Sequence, residues 1–357
     1  MSNEQHHIPT VALTQGDPGG IGYEVILKVF EDERMCELCT PVLFGSTKIL
    51  SFYRKMLGLN TQYHVIETPD EAKPGVLNII NCIPEDFTFD PGKSTAEAGR
   101  AALTSLEAAA AAVKDGLLDV LVTAPINKKN IQSDTFVFPG HTEYLESLAG
   151  NDTKALMVLT SENIRVAPVT THLPLADVPA TLSQELVLEK IRLFNHTLHR
   201  DFGVHHPRIA VLSLNPHAGE EGLLGNEEND IIIPAIERAK EEKIMVFGPY
   251  AADGFFGSGR FVKFDGVLAM YHDQGLVPFK VMSMDNGVNF TAGLPWVRTS
   301  PDHGTAYDIA GRGEASPESM REAIYQAIDI FRNRKQDEAA HSNPLQRQEI
   351  TDRRSAE

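Results

Sequence analysis

Val11-Ala-Leu-Thr-Gln-Gly-Asp-Pro-Gly-Gly-Ile-Gly-Tyr-Glu-Val-Ile-Leu-Lys-Val-Phe30 reads as one strand–loop–helix unit. Val11–Leu13 is a short apolar run of the kind a fully buried strand needs, and Tyr23–Phe30 is an apolar helix. The pattern recurs downstream. Apolar runs at Val42–Phe44, Leu77–Ile80, Asp119–Thr123, Leu156–Thr160, Ile164–Val169, Ile209–Leu214, Ile244–Phe247, Val267–Met270 and Val288–Phe290 predict strands. Ser94–Lys114, Ser183–Leu198 and Asp230–Glu242 predict helices between them; Ser94 and Glu97 form a capping box and Gly116 ends the first. Ser316-Pro317-Glu318 opens a last helix, with Met320, Ile324, Ala327, Ile328 and Phe331 on one face. The alternation predicts an α/β fold. From Lys335 the chain is polar and patternless, and a disordered tail is predicted after about residue 335.

Composition narrows the class. The 357 residues are 42% hydrophobic and 23% charged, with a formal net charge of −17, which argues against nucleic acid or an anionic membrane as partner. The segment Met1–Pro9 is polar, so no signal peptide is expected, and no apolar stretch reaches the length of a spanning helix. Three cysteines (Cys36, Cys39, Cys82) fit a reducing compartment, and a cytoplasmic protein is expected. Cys36-Glu-Leu-Cys39 has the C-x-x-C spacing but lacks a second pair or a nearby histidine, which favours a structural role.

Three histidines share a setting. His172, His217 and His272 each follow a predicted strand, with Pro, Gly, Asn or Asp beside them. Strand ends are where α/β sheets bind ligands, and three imidazoles with an open position suit a catalytic divalent ion. Three unrelated hydrogen-bonded histidines fit the spacing equally well. Gly16–Gly22 is either a packing turn or an active-site wall. His141 and Thr142 stand at a glycine turn entering a helix, a place for a phosphate or carboxylate. Lys280, Asn289 and Arg298, two cations and an amide, also suit a phosphate. In Asp302–Ser316, small residues allow close approach of a flat ring or a ribose.

At these residues the chain resembles a known family. His303-Gly-Thr-Ala-Tyr-Asp-Ile-Ala-Gly311 resembles the adenosine-binding loop of the isocitrate/isopropylmalate dehydrogenase superfamily. Gly16–Gly22, Thr123-Ala-Pro-Ile-Asn-Lys128, Pro139-Gly-His-Thr-Glu143, Asn215-Pro-His-Ala-Gly-Glu220, Tyr271-His-Asp-Gln-Gly275 and Gly293–Ser300 narrow it to the 4-hydroxythreonine-4-phosphate dehydrogenase family of vitamin B6 biosynthesis. The resemblance runs from about residue 10 to 333.

It implies two α/β domains of isocitrate/isopropylmalate dehydrogenase-like type with the active site in the cleft between them: residues 1–135 with 305–357, and residues 136–304 carrying the metal ligands and the dimer interface. It implies one divalent metal per subunit (zinc, magnesium or cobalt) on His172, His217 and His272, with His272 coming from the other subunit of a homodimer. His141, Thr142, Lys280, Asn289 and Arg298 would contact a small phosphorylated substrate. His303, Gly304, Thr305, Ala306, Asp308 and Gly311 would hold NAD or NADP. The implied reaction oxidises 4-phosphohydroxy-L-threonine to a β-keto acid that decarboxylates to 3-amino-2-oxopropyl phosphate, on the route to pyridoxal 5'-phosphate. Lys280, Asp253 and Asp273 are the candidate proton-transfer residues. Gly19 and Tyr23 depart from the family's commoner Ala and Pro, and Gly254 from its Thr. The alternatives are the same chemistry on a phosphorylated threonate or erythronate, and a non-redox metal-dependent phosphate-binding protein.

Overall fold

Val11, Ala12, Leu13, Val42, Leu43, Val120, Leu121 and Val122 are all fully buried, and strands without a polar face must be covered by helices on both sides. The computed structural model, which describes residues 7–134 and 136–342, provides that cover. Val11 and Leu13 join the core beneath helix Gly22–Phe30, while Ala12 faces helix Ala96–Lys114 on the other side.

Among the described residues the strands are β1 (Thr10–Thr14), β2 (Thr40–Gly45), β3 (Tyr63–Ile66), β4 (Leu77–Asn81), β5 (Val120–Thr123), β6 (Leu156–Thr160), β7 (Arg165–Pro168), β8 (Arg208–Leu212), β9 (Met245–Tyr250), β10 (Gly266–Ala269), β11 (Val288–Ala292) and β12 (Val297–Pro301). They form one sheet in the order β3-β4-β2-β1-β5-β12-β11-β6-β7-β10-β8-β9. The run from β3 to β12 is parallel, as is the run from β7 to β9. Between them β11 is antiparallel to β12 and β6, and β6 to β7. The α/β class is therefore as expected, and the strand direction switches at mid-sheet.

Four sequence expectations need correction. The helix at Ala96–Lys114 is capped by Thr95, whose hydroxyl accepts from Ala98 N at 3.1 Å; Ser94 instead accepts from Asn127 Nδ2 at 3.2 Å. The last helix, Glu318–Ser342, does not fray at Lys335. Arg200 reaches Glu338 at 3.3 Å and His341 reaches Asp337 at 3.5 Å, side-chain pairs that substitute for an apolar face. The remainder of the expected tail, 343–357, lies outside the described residues. Two strands were not predicted: β3, and β12, whose Val-Arg-Thr-Ser-Pro reads as a polar loop yet is buried throughout. The segment after β10, expected as a loop, is the helix His272–Ser283.

Cys36 and Cys39 sit in the core of the first half, and burial pushes their thiols up to about 11 and about 12. Gly16–Gly22 is a packing turn: a Cβ on Gly16 would stand 2.4 Å from Pro125 O, and one on Gly22 2.2 Å from Gln15 O. No helix among the described residues is long and apolar enough to cross a membrane.

Candidate active site

Thr123 ends β5, Arg298 and Ser300 lie on β12, Asn289 on β11, and Met157 and Leu159 on β6. All line one cavity of about 290 Å³ over the strands where the direction switches, the usual ligand position in open α/β sheets. Lys128 and His141–Glu143 line it too, as do His172, His272, Lys280 and Asp302–Gly304.

Its floor is built around Arg298, which is 1% exposed. The guanidinium donates to Thr123 Oγ1 (2.6 Å from Nη2, 3.2 Å from Nε) and from Nη1 to Thr291 Oγ1 at 2.9 Å. All of these partners are neutral hydroxyls, and no carboxylate among the described residues pairs with it. Burial holds its pKa down to about 9, and the charge of Glu143 opposes this only in part. His141 is driven well below the usual histidine value by burial, then by the charges of Arg298 and Lys128, so its ring is neutral. His141 Nε2 and Asn289 Oδ1 are buried and have no hydrogen-bond partner. Buried polar groups without partners are rare, and here they flank an unneutralised cation. An anion fits beside Arg298 and an N–H on His141 Nε2, and Asn289 would meet it through Nδ2, since its amide oxygen is an acceptor like those of a phosphate.

The imidazoles stand on the other wall. Glu143 Oε1 holds His172 Nδ1 at 2.8 Å, and Asp273 Oδ1 holds His272 Nδ1 at 2.7 Å. Each ring thereby keeps Nε2 available, as in metal-ligating histidines whose other nitrogen is bonded to a carboxylate. Burial pushes the Glu143 carboxyl up, but the bond from His172 and its own backbone bonds outweigh this and leave it low. His217 lies in the turn Pro216–Gly222, where residues 217–221 take left-handed backbone angles, with φ of 53° at His217 itself. It does not line the cavity. Within one chain no three His, Cys, Asp or Glu side chains converge on a point among the described residues. The donor chemistry of His172 and His272 nevertheless fits a divalent ion.

Of the candidate proton carriers, Lys280 reaches the cavity and pairs with Asp302 at 3.2 Å. Asp273 bonds to His272 but does not itself line the cavity, and Asp253 lies on the short helix Ala252–Gly257, outside the lining. Burial raises the Asp302 carboxyl against the opposing pull of Lys280, and burial lowers His303.

His303 and Gly304 line the cavity's edge, and Thr305, Ala306, Asp308 and Gly311 continue the loop outside it. The backbone amides of 303–308 donate to no acceptor among the described residues, and nothing there stands within 4 Å of where a Cβ on Gly304 would be. Free amides and open space suit a planar, acceptor-rich ligand, so the nicotinamide cofactor fits as well.

Comparison with known proteins decides the family. The model described as "Pyridoxal phosphate biosynthetic protein PdxA" matches residues 37–327. The chain belongs to the PdxA family. A 4-hydroxythreonine-4-phosphate dehydrogenase of Bacteroides thetaiotaomicron is 55% identical over 95% of this chain and 93% of its own. The crystal structure of the 4-hydroxythreonine-4-phosphate dehydrogenase of Klebsiella pneumoniae is 37% identical, with a TM-score of 0.79 over 92% of this chain and 99% of that one. A terephthalate 1,2-cis-dihydrodiol dehydrogenase from Burkholderia xenovorans is 27% identical, with a TM-score of 0.60 over 90% and 98%. As a PdxA-family protein the chain is a dehydrogenase of pyridoxine biosynthesis.

Thr123, Lys128, Glu143 and Asp302 also line the cavity, although sequence reasoning gave none of them an individual role. Thr123 and Lys128 bound a polar run directly after a buried strand, which was the available signal. Glu143 and Asp302 each adjoin a residue already singled out, Thr142 and His303.

Proposed function

We propose that this PdxA-family dehydrogenase oxidises the C3 hydroxyl of 4-phosphohydroxy-L-threonine with NAD or NADP, giving a β-keto acid that decarboxylates to 3-amino-2-oxopropyl phosphate. The observation that carries the reading is Arg298, a fully buried guanidinium with no carboxylate partner among the described residues, beside the unpartnered His141 Nε2 in a cavity that Asn289 also lines. These groups, with Lys128 and Thr142, hold the phosphate. Binding energy from this remote group orients C3 and lowers the barrier where bonds change.

His172, His217 and His272 would hold a zinc, magnesium or cobalt ion, which supplies Lewis-acid stabilisation of developing negative charge on the C3 oxygen. Residues 303–311 would hold the nicotinamide cofactor, which accepts the hydride. Lys280 moves the proton at the C3 oxygen, and Asp302, 3.2 Å from its Nζ, orients it. The neutral ring of His141 accepts or donates a hydrogen bond without adding a third cation beside Arg298 and Lys128.

The same reading includes a cytoplasmic homodimer with a shared site, His272 being donated across the interface. Val277, Val281 and Met284 form an exposed apolar stripe along the helix that begins at His272, and burying that stripe would bring the helix against a second copy. Residues 1–135 with 305–357 would be one unit and 136–304 the other, joined through the sheet where β5 pairs with β12. The test is formation of reduced nicotinamide from 4-phosphohydroxy-L-threonine by the purified protein with a divalent ion. No turnover with either cofactor under any of the three ions would reject the reading.

A further inference from the structure

Asp17 is buried and has no cation among its partners. Its Oδ1 accepts from Gly19 N at 2.8 Å, and its Oδ2 accepts from Asn130 Nδ2 and from the Tyr307 hydroxyl, both at 2.7 Å. One carboxylate therefore joins three segments that are distant in sequence. These are the first turn, the Pro125–Asn130 wall that carries Lys128 into the cavity, and the 303–311 loop. The wall is itself rigidly seated. Asn130 Nδ2 also donates to Thr95 O at 3.0 Å, and a Cβ on Gly99 would stand 2.0 Å from Asn130 O.

Two further ties hold the loop from behind. Ile21 N donates to Thr305 O at 3.0 Å, and a Cβ on Gly20 would stand 2.6 Å from that same oxygen. Buried Glu24 accepts from Gly311 N at 3.2 Å and Ala315 N at 3.0 Å, while Lys28 closes on Gly313 O and Ala315 O. The free amides of 303–308 thus belong to a loop whose other contacts are already spent on holding its position.

We propose that Asp17 is a positioning residue for cofactor binding, acting through Tyr307 to hold the 303–311 loop in its binding-competent position against the substrate wall. This rests on the assignment of that loop to the nicotinamide cofactor. A loop released from one anchor populates the competent position less, and the dissociation constant rises in proportion.

The test is titration of NADH and NADPH by fluorescence, with inorganic phosphate titrated separately, on wild type, Tyr307→Phe and Asp17→Asn. Tyr307→Phe should weaken binding of the preferred cofactor about tenfold. It should leave phosphate affinity at Arg298 unchanged and, without cofactor, speed exchange of the loop's bonded amides, Ile309, Ala310 and Gly311. In turnover its cofactor KM should rise, while kcat at saturating cofactor stays within about twofold. Asp17→Asn should weaken cofactor binding at least as much. Unchanged cofactor affinity and exchange in both variants overturn the proposal, as does a lower melting temperature as the sole effect. Wild-type protein that binds neither NADH nor NADPH overturns the cofactor-loop assignment first, and the proposal with it.

Discussion

Replacing Arg298 with methionine keeps much of the side-chain volume and removes the charge. Two effects then oppose each other in the free protein. A guanidinium held down to about 9 is roughly 5 kcal/mol harder to charge in this site than in water, and that penalty disappears. The buried hydroxyls of Thr123 and Thr291 lose their donor, at a cost of about 1–3 kcal/mol each. The melting temperature of Arg298→Met without ligand should therefore stay close to that of wild type. Binding behaves differently. Loss of a buried charge-assisted contact costs roughly 2–5 kcal/mol, or roughly 30- to several-thousand-fold in kcat/KM. Thermal unfolding against inorganic phosphate separates the two. At a hundredfold excess over its dissociation constant phosphate should stabilise wild type by about 2.7 kcal/mol and the variant by almost nothing. A variant that keeps the full phosphate-dependent rise would refute the claim that Arg298 is the anion's anchor.

Lys280→Ala should lower kcat by roughly 100-fold or more as well as raising KM, whereas Arg298→Ala should act mainly on KM; an unchanged kcat in Lys280→Ala would confine that residue to binding. Mixing inactive His172→Ala and His272→Ala chains should restore activity, because subunit exchange places both defects in one of two shared sites; no recovery, with exchange verified by mass spectrometry, would place His272 in its own chain's site. His141 has a folded pKa below its ordinary 6.5, so the stability due to its burial as the neutral ring is complete above that value and is lost as pH falls toward the folded value. Wild type should therefore lose up to about 1.4 kcal/mol per pH unit more than His141→Asn below about pH 6.5, read from melting temperatures across that range. Parallel pH profiles would show that the ring is not held neutral.

Most of the parallel sheet was legible because its strands are buried on both faces and read as uninterrupted apolar runs, the expected Asp119–Thr123 matching β5 to within one residue. β12 was hidden for a physical reason. It is a central strand buried on both faces, with Arg298 turned to the cavity on one and Thr299 bonded to Ala323 O on the other, so polar residues stand where a core strand would carry apolar ones. The helix His272–Ser283 was hidden by Gly275 and Pro278, weak helix residues that its packing overrides. Among the cavity-lining residues, Lys280, Arg298 and the imidazoles were legible by type, whereas the cation Lys128 was not. Thr123 and Asp302, also not singled out, contact Arg298 and Lys280, and such contacts depend on three-dimensional proximity.

The central claim is the reaction itself. Purified protein supplied with zinc, magnesium or cobalt and with NAD or NADP should be given 4-phosphohydroxy-L-threonine and, in a parallel vessel, 4-phospho-D-threonate, with reduced nicotinamide and released carbon dioxide both measured. Equal amounts of the two products, formed much faster from the hydroxythreonine phosphate, are the expected result. Faster turnover of the threonate, or carbon dioxide without reduced nicotinamide, would contradict the account.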